Sequence, residues 1–222
     1  GVWAGERAAS GVALPSPLWI FGYGSLCWKN DEIRHSERFV GRAHGWRRVF
    51  AQRSMDHRGT PAQPGLVATM ITEEQHTQIV RGTLGEGNGC AAHEEGVCGV
   101  CYRISDEHAA EVLDALDFRE KGGYTRELVD VTPSDKSRAP VRALLYTATP
   151  DNPNFNPSAV TDLSSSAFTI AHTEGPSGPN VDYLFALANF LEEQGERDLH
   201  VEQLTKAVKR ILVSSREVGQ ES

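Results

Sequence analysis

Short apolar and β-branched stretches, bounded by glycine or proline, recur through the first two-thirds of the chain. Several of them alternate apolar and polar residues, which is the period of a strand with one buried face. The stretches are Leu18 to Gly22, Gly45 to Gln52, Leu66 to Thr72, Val97 to Ile104, Glu127 to Thr132 and Val141 to Ala148. The sequence therefore predicts a core that is built largely from β-strands.

Helical periodicity is found once between these strands, in a segment that follows Ser105 and is expected to end near Phe118. Its apolar face consists of Ala109, Val112, Leu113 and Leu116. Two amphipathic runs come later, beyond a loop at 151–157, and the first has its start signal at Pro179 and Asn180. Their apolar residues are Leu184, Phe185, Leu187, Ala188 and Leu191 in the first and Val201, Leu204, Val208, Ile211 and Leu212 in the second. Strands first and helices later predict an α+β fold rather than alternating β-α-β units.

The length of 222 residues is enough to bury a hydrophobic core without disulfide bonds or a structural metal. We expect a single domain at 16–213, with a flexible tail at 1–15 before it and a second tail at 214–222 after it. Residues 82–96 are rich in glycine and have no apolar pattern, so they are predicted to form a flexible surface insertion.

The charge balance is acidic, because 22 Lys and Arg residues against 30 Asp and Glu residues give a formal net charge of −8. Proteins that bind nucleic acid usually carry a basic surplus, so nucleic acid is not expected as a partner. No apolar run approaches the roughly 18 residues of a membrane helix, so no membrane partner is expected. The chain starts without a signal-peptide pattern, and its four cysteines do not form the dense framework of a secreted domain. The predicted compartment is the cytoplasm.

The sequence Gly22-Tyr23-Gly24-Ser25-Leu26 follows the first predicted strand directly. Two glycines around a tyrosine let the backbone turn tightly and expose successive N–H groups, which suit a carboxylate or an oxyanion. The alternative interpretation is an ordinary turn after a strand, with Tyr23 in the core. A dinucleotide-binding fingerprint is excluded, because its last position is occupied by Cys27 instead of glycine.

A charged segment, Asp117 to Tyr124, lies where the predicted helix ends. Charges in a row at a helix end usually form a solvated surface, and the glycine pair within the segment can simply stop the helix. In the other interpretation Glu120 points into a cleft beside Arg119, where a carboxyl group can shuttle protons near neutral pH. The residues alone favour the solvated surface.

Cys90, His93, Cys98 and Cys101 have the spacing of a tetrahedral zinc site. Cys98 and Cys101 fall in a predicted strand, however, where residues three apart face opposite sides. Buried free thiols are therefore the favoured interpretation, and the sequence does not decide whether these cysteines or Cys27 respond to redox conditions. A hydrolase triad is not indicated either, because the chain has no G-x-S-x-G elbow.

A series of motifs in a fixed order along residues 18–193 carries a specific resemblance. The motifs are Tyr23-Gly24-Ser25-Leu26 with Trp28-Lys29, Arg47-Arg48-Val49-Phe50, Asp56-His57-Arg58-Gly59-Thr60 with Pro64-Gly65, Cys98-Gly99-Val100-Cys101-Tyr102-Arg103-Ile104, Asp117 to Tyr124, Tyr146-Thr147-Ala148-Thr149 before Asn152-Pro153, and Gly175-Pro176-Ser177-Gly178-Pro179-Asn180 before Tyr183-Leu184. Each motif is weak by itself, but their common order over most of the chain is specific. The sequence resembles the ChaC family of glutathione-specific γ-glutamylcyclotransferases.

The resemblance implies a γ-glutamylcyclotransferase-like fold, a mixed β-barrel or curled sheet with surrounding helices. It also implies an enzyme that cleaves glutathione into 5-oxoproline and cysteinylglycine without a metal or an organic cofactor. The catalytic acid/base of the family falls on Glu120, its substrate loop on Tyr23, Gly24, Ser25 and Leu26, and a tyrosine that lines the pocket on Tyr146. Arg53 or Arg58 is expected to pair with the glycine carboxylate of glutathione, because a guanidinium matches a carboxylate bidentately.

The chain departs from the family pattern in two places. The insertion at 82–96 is longer than expected, and Cys101 stands where other members often have a small residue. Neither departure touches the motifs, so they bear on partners or regulation more than on chemistry. Two other functions stay open: cyclisation of other γ-glutamyl amines, and a binding protein without turnover that holds zinc. The sequence does not indicate the oligomeric state.

Overall fold

The computed structural model describes residues 14–29, 33–85, 96–119 and 123–220. Its strands are β1 Leu18–Gly22, β2 Glu37–Ala43, β3 Trp46–Ser54, β4 Gly65–Thr72, β5 Val97–Ile104, β6 Thr125–Pro133, β7 Val141–Thr147, β8 Glu174–Gly175 and β9 Gly178–Pro179. Its α-helices are α1 Glu73–Leu84, α2 Ala109–Arg119, α3 Ser158–Thr161, α4 Leu163–His172, α5 Asn180–Glu193 and α6 Leu199–Gln220. Single 3₁₀ turns are found at Ser25–Cys27 and Asp106–His108.

A closed barrel with the strand order β1-β5-β2-β6-β7 forms the centre of the fold. Its neighbouring strands are antiparallel except where β1 meets β7 in parallel, with Ile20 beside Leu144, and this pair closes the barrel. β3 and β4 form a separate antiparallel pair, whose register shifts between Val49 and Gln52. The mixed barrel with helices packed around it confirms the predicted α+β architecture.

Each of the predicted strands is present. Among the longer elements, the sequence pattern missed the strand β2 and the helices α1 and α4. The inward positions of β2 are Phe39, Gly41 and Ala43, which are too small on average to give a clear apolar alternation. α1 has only three aliphatic residues, Ile79, Val80 and Leu84, and none of them is fully buried. Its apolar pattern is therefore sparse, and the expectation of a single helix between the strands was wrong. Its start is instead marked by a capping box between Thr72 and Gln75.

The later helices pack on the barrel and on the β3–β4 pair through one continuous core. α5 begins at Asn180, as predicted, and the Asn180 side chain is fully buried. Its Oδ1 accepts from the Leu66 amide at 2.7 Å, and its Nδ2 donates to the Leu66 carbonyl at 2.8 Å. This double hydrogen bond fixes the start of α5 against β4. None of the helices in the described part of the chain combines the length and the apolar character that crossing a membrane requires.

Arg48, on β3, is an ionised side chain with no exposed surface. Its Nη1 donates to Asp198 Oδ2 at 2.5 Å, its Nε donates to the Tyr23 carbonyl at 3.1 Å, and its Nη2 donates to the Cys98 carbonyl. Asp198 in turn accepts from the Val201 amide at 3.0 Å and so caps α6. One guanidinium on β3 is therefore hydrogen-bonded to β5, to the residue that follows β1 and to the residue that caps α6.

His200, on the first turn of α6, has a nitrogen that is held as an acceptor. The Phe50 amide donates to its Nε2 at 3.0 Å, so the ring is neutral in the folded protein. Burial lowers the pKa of His200 from 6.5 to about 4, with Arg48 and His76 acting in the same direction and Asp198 in the opposite one. The unfolded chain therefore binds a proton at this residue at a higher pH than the folded chain does.

We expect the free energy of unfolding to fall as the pH drops from 6.5 towards 4, because only the unfolded state gains a proton there. His200 accounts for at most about 3 kcal/mol of this loss, since part of the residue is still exposed. His200→Gln keeps an acceptor for Phe50 but does not titrate, so its stability should depend less on pH in this window. Urea unfolding at a series of pH values measures the effect, with the exposed His44→Gln as control. A pH dependence of His200→Gln equal to that of the wild type would contradict this assignment.

Candidate active site

A cavity of about 170 Å³ lies where the end of β1, the end of β3, α2, β7 and α5 meet. Every predicted site residue that the structure describes lines this cavity: Tyr23, Gly24, Ser25, Leu26, Arg53, Arg58 and Tyr146. These residues are spread over more than half of the sequence, and the fold brings them to one place. Glu120, the predicted acid/base, lies outside the described residues.

The turn after β1 is shaped by close packing at its two glycines. A Cβ at Gly22 would lie 2.5 Å from the Leu26 Cβ, and a Cβ at Gly24 would lie 2.6 Å from the Tyr183 hydroxyl. From Gly24 the chain enters a 3₁₀ turn, in which the Cys27 amide donates to the Gly24 carbonyl at 2.9 Å. The internal hydrogen bonds of this turn use the amides of residues 27–29, and the amides of Ser25 and Leu26 are not among them.

Tyr23 lies both in the core and in the wall of the cavity. It is buried in the core, with 7% of its surface exposed, and it also lines the cavity. Its hydroxyl donates to the Tyr146 carbonyl at 2.9 Å, while its own carbonyl accepts from Arg48. The side chain is therefore a fixed part of the cavity wall.

Tyr146 is held by two charged partners that the sequence did not indicate. Its hydroxyl donates to Asp117 Oδ1 at 2.7 Å and accepts from Arg126 Nε at 3.1 Å. Burial raises the pKa of Tyr146 well above its ordinary value, and the hydrogen bond to Asp117 adds to the increase. The phenol is thus neutral at physiological pH, and its hydroxyl hydrogen is engaged in the hydrogen bond to Asp117.

The end of α2 reaches the turn after β1 through a direct hydrogen bond. Arg119 Nη2 donates to the Ser25 hydroxyl oxygen. Arg119 and Tyr124, which stand on either side of the undescribed segment 120–122, both line the cavity. Between them Gly123 has a φ of 82°, and its carbonyl accepts from Asn152 Nδ2 at 2.8 Å.

The guanidinium groups of Arg53 and Arg58 differ in whether they are hydrogen-bonded within the protein. Arg58 is buried, and its Nη1 donates to the Pro179 carbonyl at 2.9 Å. Arg53 is exposed at the cavity, and its guanidinium has no hydrogen bond or ion pair with any other residue that the structure describes. Arg53 is therefore the better placed of the two to receive a carboxylate. Gln52, Lys29 and His57 also line the cavity, and none of them was predicted as a site residue. Lys29 and His57 belong to the family motifs, whereas Gln52 does not.

Comparison with known proteins identifies the relatives of this chain. The sequence model described as "ChaC-like protein" matches residues 18–211. The chain belongs to the ChaC-like family.

Curated members of the family resemble the chain over nearly its whole length. It is 37% identical to gamma-glutamylcyclotransferase 2-3 of Arabidopsis thaliana, over 90% of this chain and 93% of the relative. It is 36% identical to the glutathione-specific gamma-glutamylcyclotransferase of Schizosaccharomyces pombe, over 90% of this chain and 96% of the relative. The crystal structure of the glutathione-specific γ-glutamyl cyclotransferase from yeast superposes with a TM-score of 0.73 at 30% identity, covering 88% of this chain and 99% of that one. The predicted γ-glutamylcyclotransferase-like fold is confirmed.

The cysteines of this ChaC-like protein are buried thiols wherever the structure describes them. Burial raises the pKa of Cys27 to about 12 and that of Cys98 to about 11, and it raises the pKa of Cys101 further. Cys90 and His93, the other members of the predicted zinc quartet, lie outside the described residues. Within the described ranges, no three His, Cys, Asp or Glu side chains are placed to hold a metal ion.

We expect Gly24→Ala to lower 5-oxoproline release from glutathione roughly 100-fold, because the added Cβ displaces either the turn or Tyr183 by about 1 Å. Gly82→Ala is the matched control, since a Cβ there has nothing within 4 Å. It should keep full activity and stabilise α1 by up to about 1 kcal/mol. Initial rates and thermal unfolding of both variants measure the difference. Wild-type activity in Gly24→Ala would show that close packing at this turn is not needed.

Proposed function

We propose that the protein is a glutathione-specific γ-glutamylcyclotransferase, which converts glutathione into 5-oxoproline and cysteinylglycine. The observation that carries the proposal is the meeting of the predicted site residues in one cavity of a ChaC-like chain. Curated relatives from Schizosaccharomyces pombe, Homo sapiens and Escherichia coli are named for this activity, which supports the proposal.

The reaction is a ring closure within one molecule. The α-amine of the γ-glutamyl group attacks its own γ-carbonyl carbon, and the bond from that carbon to the cysteinyl nitrogen breaks. The amine loses a proton and the departing nitrogen gains one, so no water or second substrate is consumed. Because nucleophile and carbonyl are already joined, the protein has to fold the substrate and move protons.

Glu120 is the group that we propose to move these protons. At neutral pH the α-amine is largely protonated, so a carboxylate first removes a proton and then delivers one to the leaving nitrogen. The residues that flank Glu120, Arg119 and Tyr124, line the cavity, which supports this role. Among the residues that the structure describes, Asp117 is a less suitable base because its carboxylate is already paired with Arg126 and Tyr146.

The two ends of the substrate have different partners in this proposal. The amides of Ser25 and Leu26 receive either the oxyanion that develops at the γ-carbonyl or the α-carboxylate of the γ-glutamyl group. Arg53, whose guanidinium is unpaired among the described residues, receives the glycine carboxylate. Tyr23 and Tyr146 form the wall against which the γ-glutamyl part folds.

We propose that the protein is cytoplasmic and binds glutathione as a free small molecule. The net charge of −8 disfavours nucleic acid as a partner, and the described cysteines are free thiols. Such thiols are stable in a reducing compartment.

We expect purified protein to release 5-oxoproline from glutathione and little from γ-glutamyl-alanine. Glu120→Gln should fold normally and lose roughly 100- to 10,000-fold of the rate, because the amide cannot accept or return the proton. Glu107→Gln, at an exposed position just before α2, is the matched control and should keep full activity. The 5-oxoproline released by the wild type and by the two variants is quantified by chromatography.

Each other result points to a different function. Equal or faster release from γ-glutamyl-alanine would assign a broader cyclotransferase. Release by Glu120→Gln at the wild-type rate would overturn the role of Glu120, and no release from either substrate would overturn the enzymatic function.

A further inference from the structure

Gln52, near the end of β3, is a buried polar residue in the wall of the cavity. Only 2% of its surface is exposed, and it follows the point where the register between β3 and β4 shifts. Its backbone is fixed on both sides, by pairing with Val67 in β4 and by a bridge to Phe155. The side chain therefore starts from a rigid base.

The carboxamide of Gln52 has no partner in the described part of the chain. Its Oε1 is out of contact with solvent and accepts no hydrogen bond. Its Nε2 donates to no other described residue either. A buried amide without hydrogen bonds is unfavourable, and folded proteins rarely leave such a group unpaired. An unpaired amide in a cavity wall points to a partner that arrives from outside the protein.

The chemistry of the group limits what that partner can be. A carboxamide carries one acceptor and one donor side by side, and its last side-chain torsion is soft, so either end can turn towards the cavity. It is neutral, and therefore suits a neutral polar group better than an ion. Apart from the weakly polar thiol, the neutral polar groups of glutathione are its two peptide groups, each of which likewise carries one donor and one acceptor.

The neighbouring residue decides which peptide group is in reach. Arg53 follows Gln52 directly and lines the same cavity with an unpaired guanidinium among the described residues. If Arg53 holds the glycine carboxylate, the nearest polar group of the substrate is the peptide group between cysteine and glycine, one carbon atom away. Simple γ-glutamyl amines and γ-glutamyl-alanine have no such group.

We propose that Gln52 determines specificity by hydrogen-bonding the cysteinyl-glycine peptide group of glutathione. This inference rests on the proposed function and adds to it the residue that separates the tripeptide from shorter γ-glutamyl compounds. The binding of the peptide group satisfies an amide that the free protein leaves unpaired. A substrate without that group leaves the amide unpaired throughout, and is discriminated against for that reason.

The test combines one change in the protein with one change in the substrate. The protein variant is Gln52→Met, which has similar length and no polar amide. The substrate variant is the depsipeptide of glutathione, in which an ester oxygen replaces the glycyl N–H while the γ-glutamyl half is unchanged. Release of 5-oxoproline gives kcat/KM for the four combinations, and their comparison isolates the interaction between Gln52 and the peptide group.

We expect wild-type protein to prefer glutathione over the depsipeptide by roughly 10- to 100-fold, and Gln52→Met to show less than about 3-fold preference. Thermal unfolding of Gln52→Met should start no lower than that of the wild type, because no internal hydrogen bond is lost. Gln78→Met, at an exposed position of α1, is the control and should keep both the rates and the preference. Gln52→Leu provides a second apolar side chain should Gln52→Met fail to fold.

An unchanged preference in the Gln52 variants, or an equal loss on both substrates, would overturn this inference while leaving the proposed function intact. A lower unfolding temperature together with that equal loss would assign Gln52 a structural role. Absence of 5-oxoproline with wild-type protein and glutathione would instead overturn the proposed function, and this inference with it.

Discussion

The arrangement of the candidate active site depends on the hydrogen bonds of one buried group, the guanidinium of Arg48. It donates to Asp198 at the start of α6, to the Cys98 carbonyl in the barrel and to the Tyr23 carbonyl just before the turn at Gly24. A buried charge is tolerated only when it is paired and its donors are satisfied, so these contacts have to form together. The turn at Gly24 is thereby placed relative to the barrel and the C-terminal helix at once.

The cavity next to this anchor combines groups that are fully paired with groups that are not. Tyr146 is locked between Asp117 and Arg126, and a neutral, fixed phenol makes a rigid wall. Gln52 and Arg53 have no side-chain partner among the described residues, although Gln52 is buried. Polar groups that a protein leaves unpaired are expected where a ligand completes them. In the proposed function, the rigid wall shapes the γ-glutamyl part, and Gln52 and Arg53 receive the rest of the substrate.

The sequence predicted every barrel strand except β2. The signal was a short run of apolar and β-branched residues, as in β1 and β5, whose residues are nearly all buried. It missed α1, whose clearest signal is the capping box at Thr72, because the few aliphatic residues of this helix are confined to its second half. The candidate site residues were predicted from the order of motifs, and the fold brings the described ones together in one cavity. Partnerships between distant positions, such as Arg48 with Asp198, and an unpaired amide such as Gln52 depend on tertiary packing, which no local pattern contains. The role of Glu120 stays a prediction.

The most direct test of the account is to run the reaction with glutathione in water enriched in ¹⁸O and to analyse the products by mass spectrometry. Ring closure consumes no water, so we predict unlabelled 5-oxoproline and unlabelled cysteinylglycine. The appearance of glutamate that carries ¹⁸O in its γ-carboxyl group would show hydrolysis, and would contradict the assignment of this chain as a cyclotransferase.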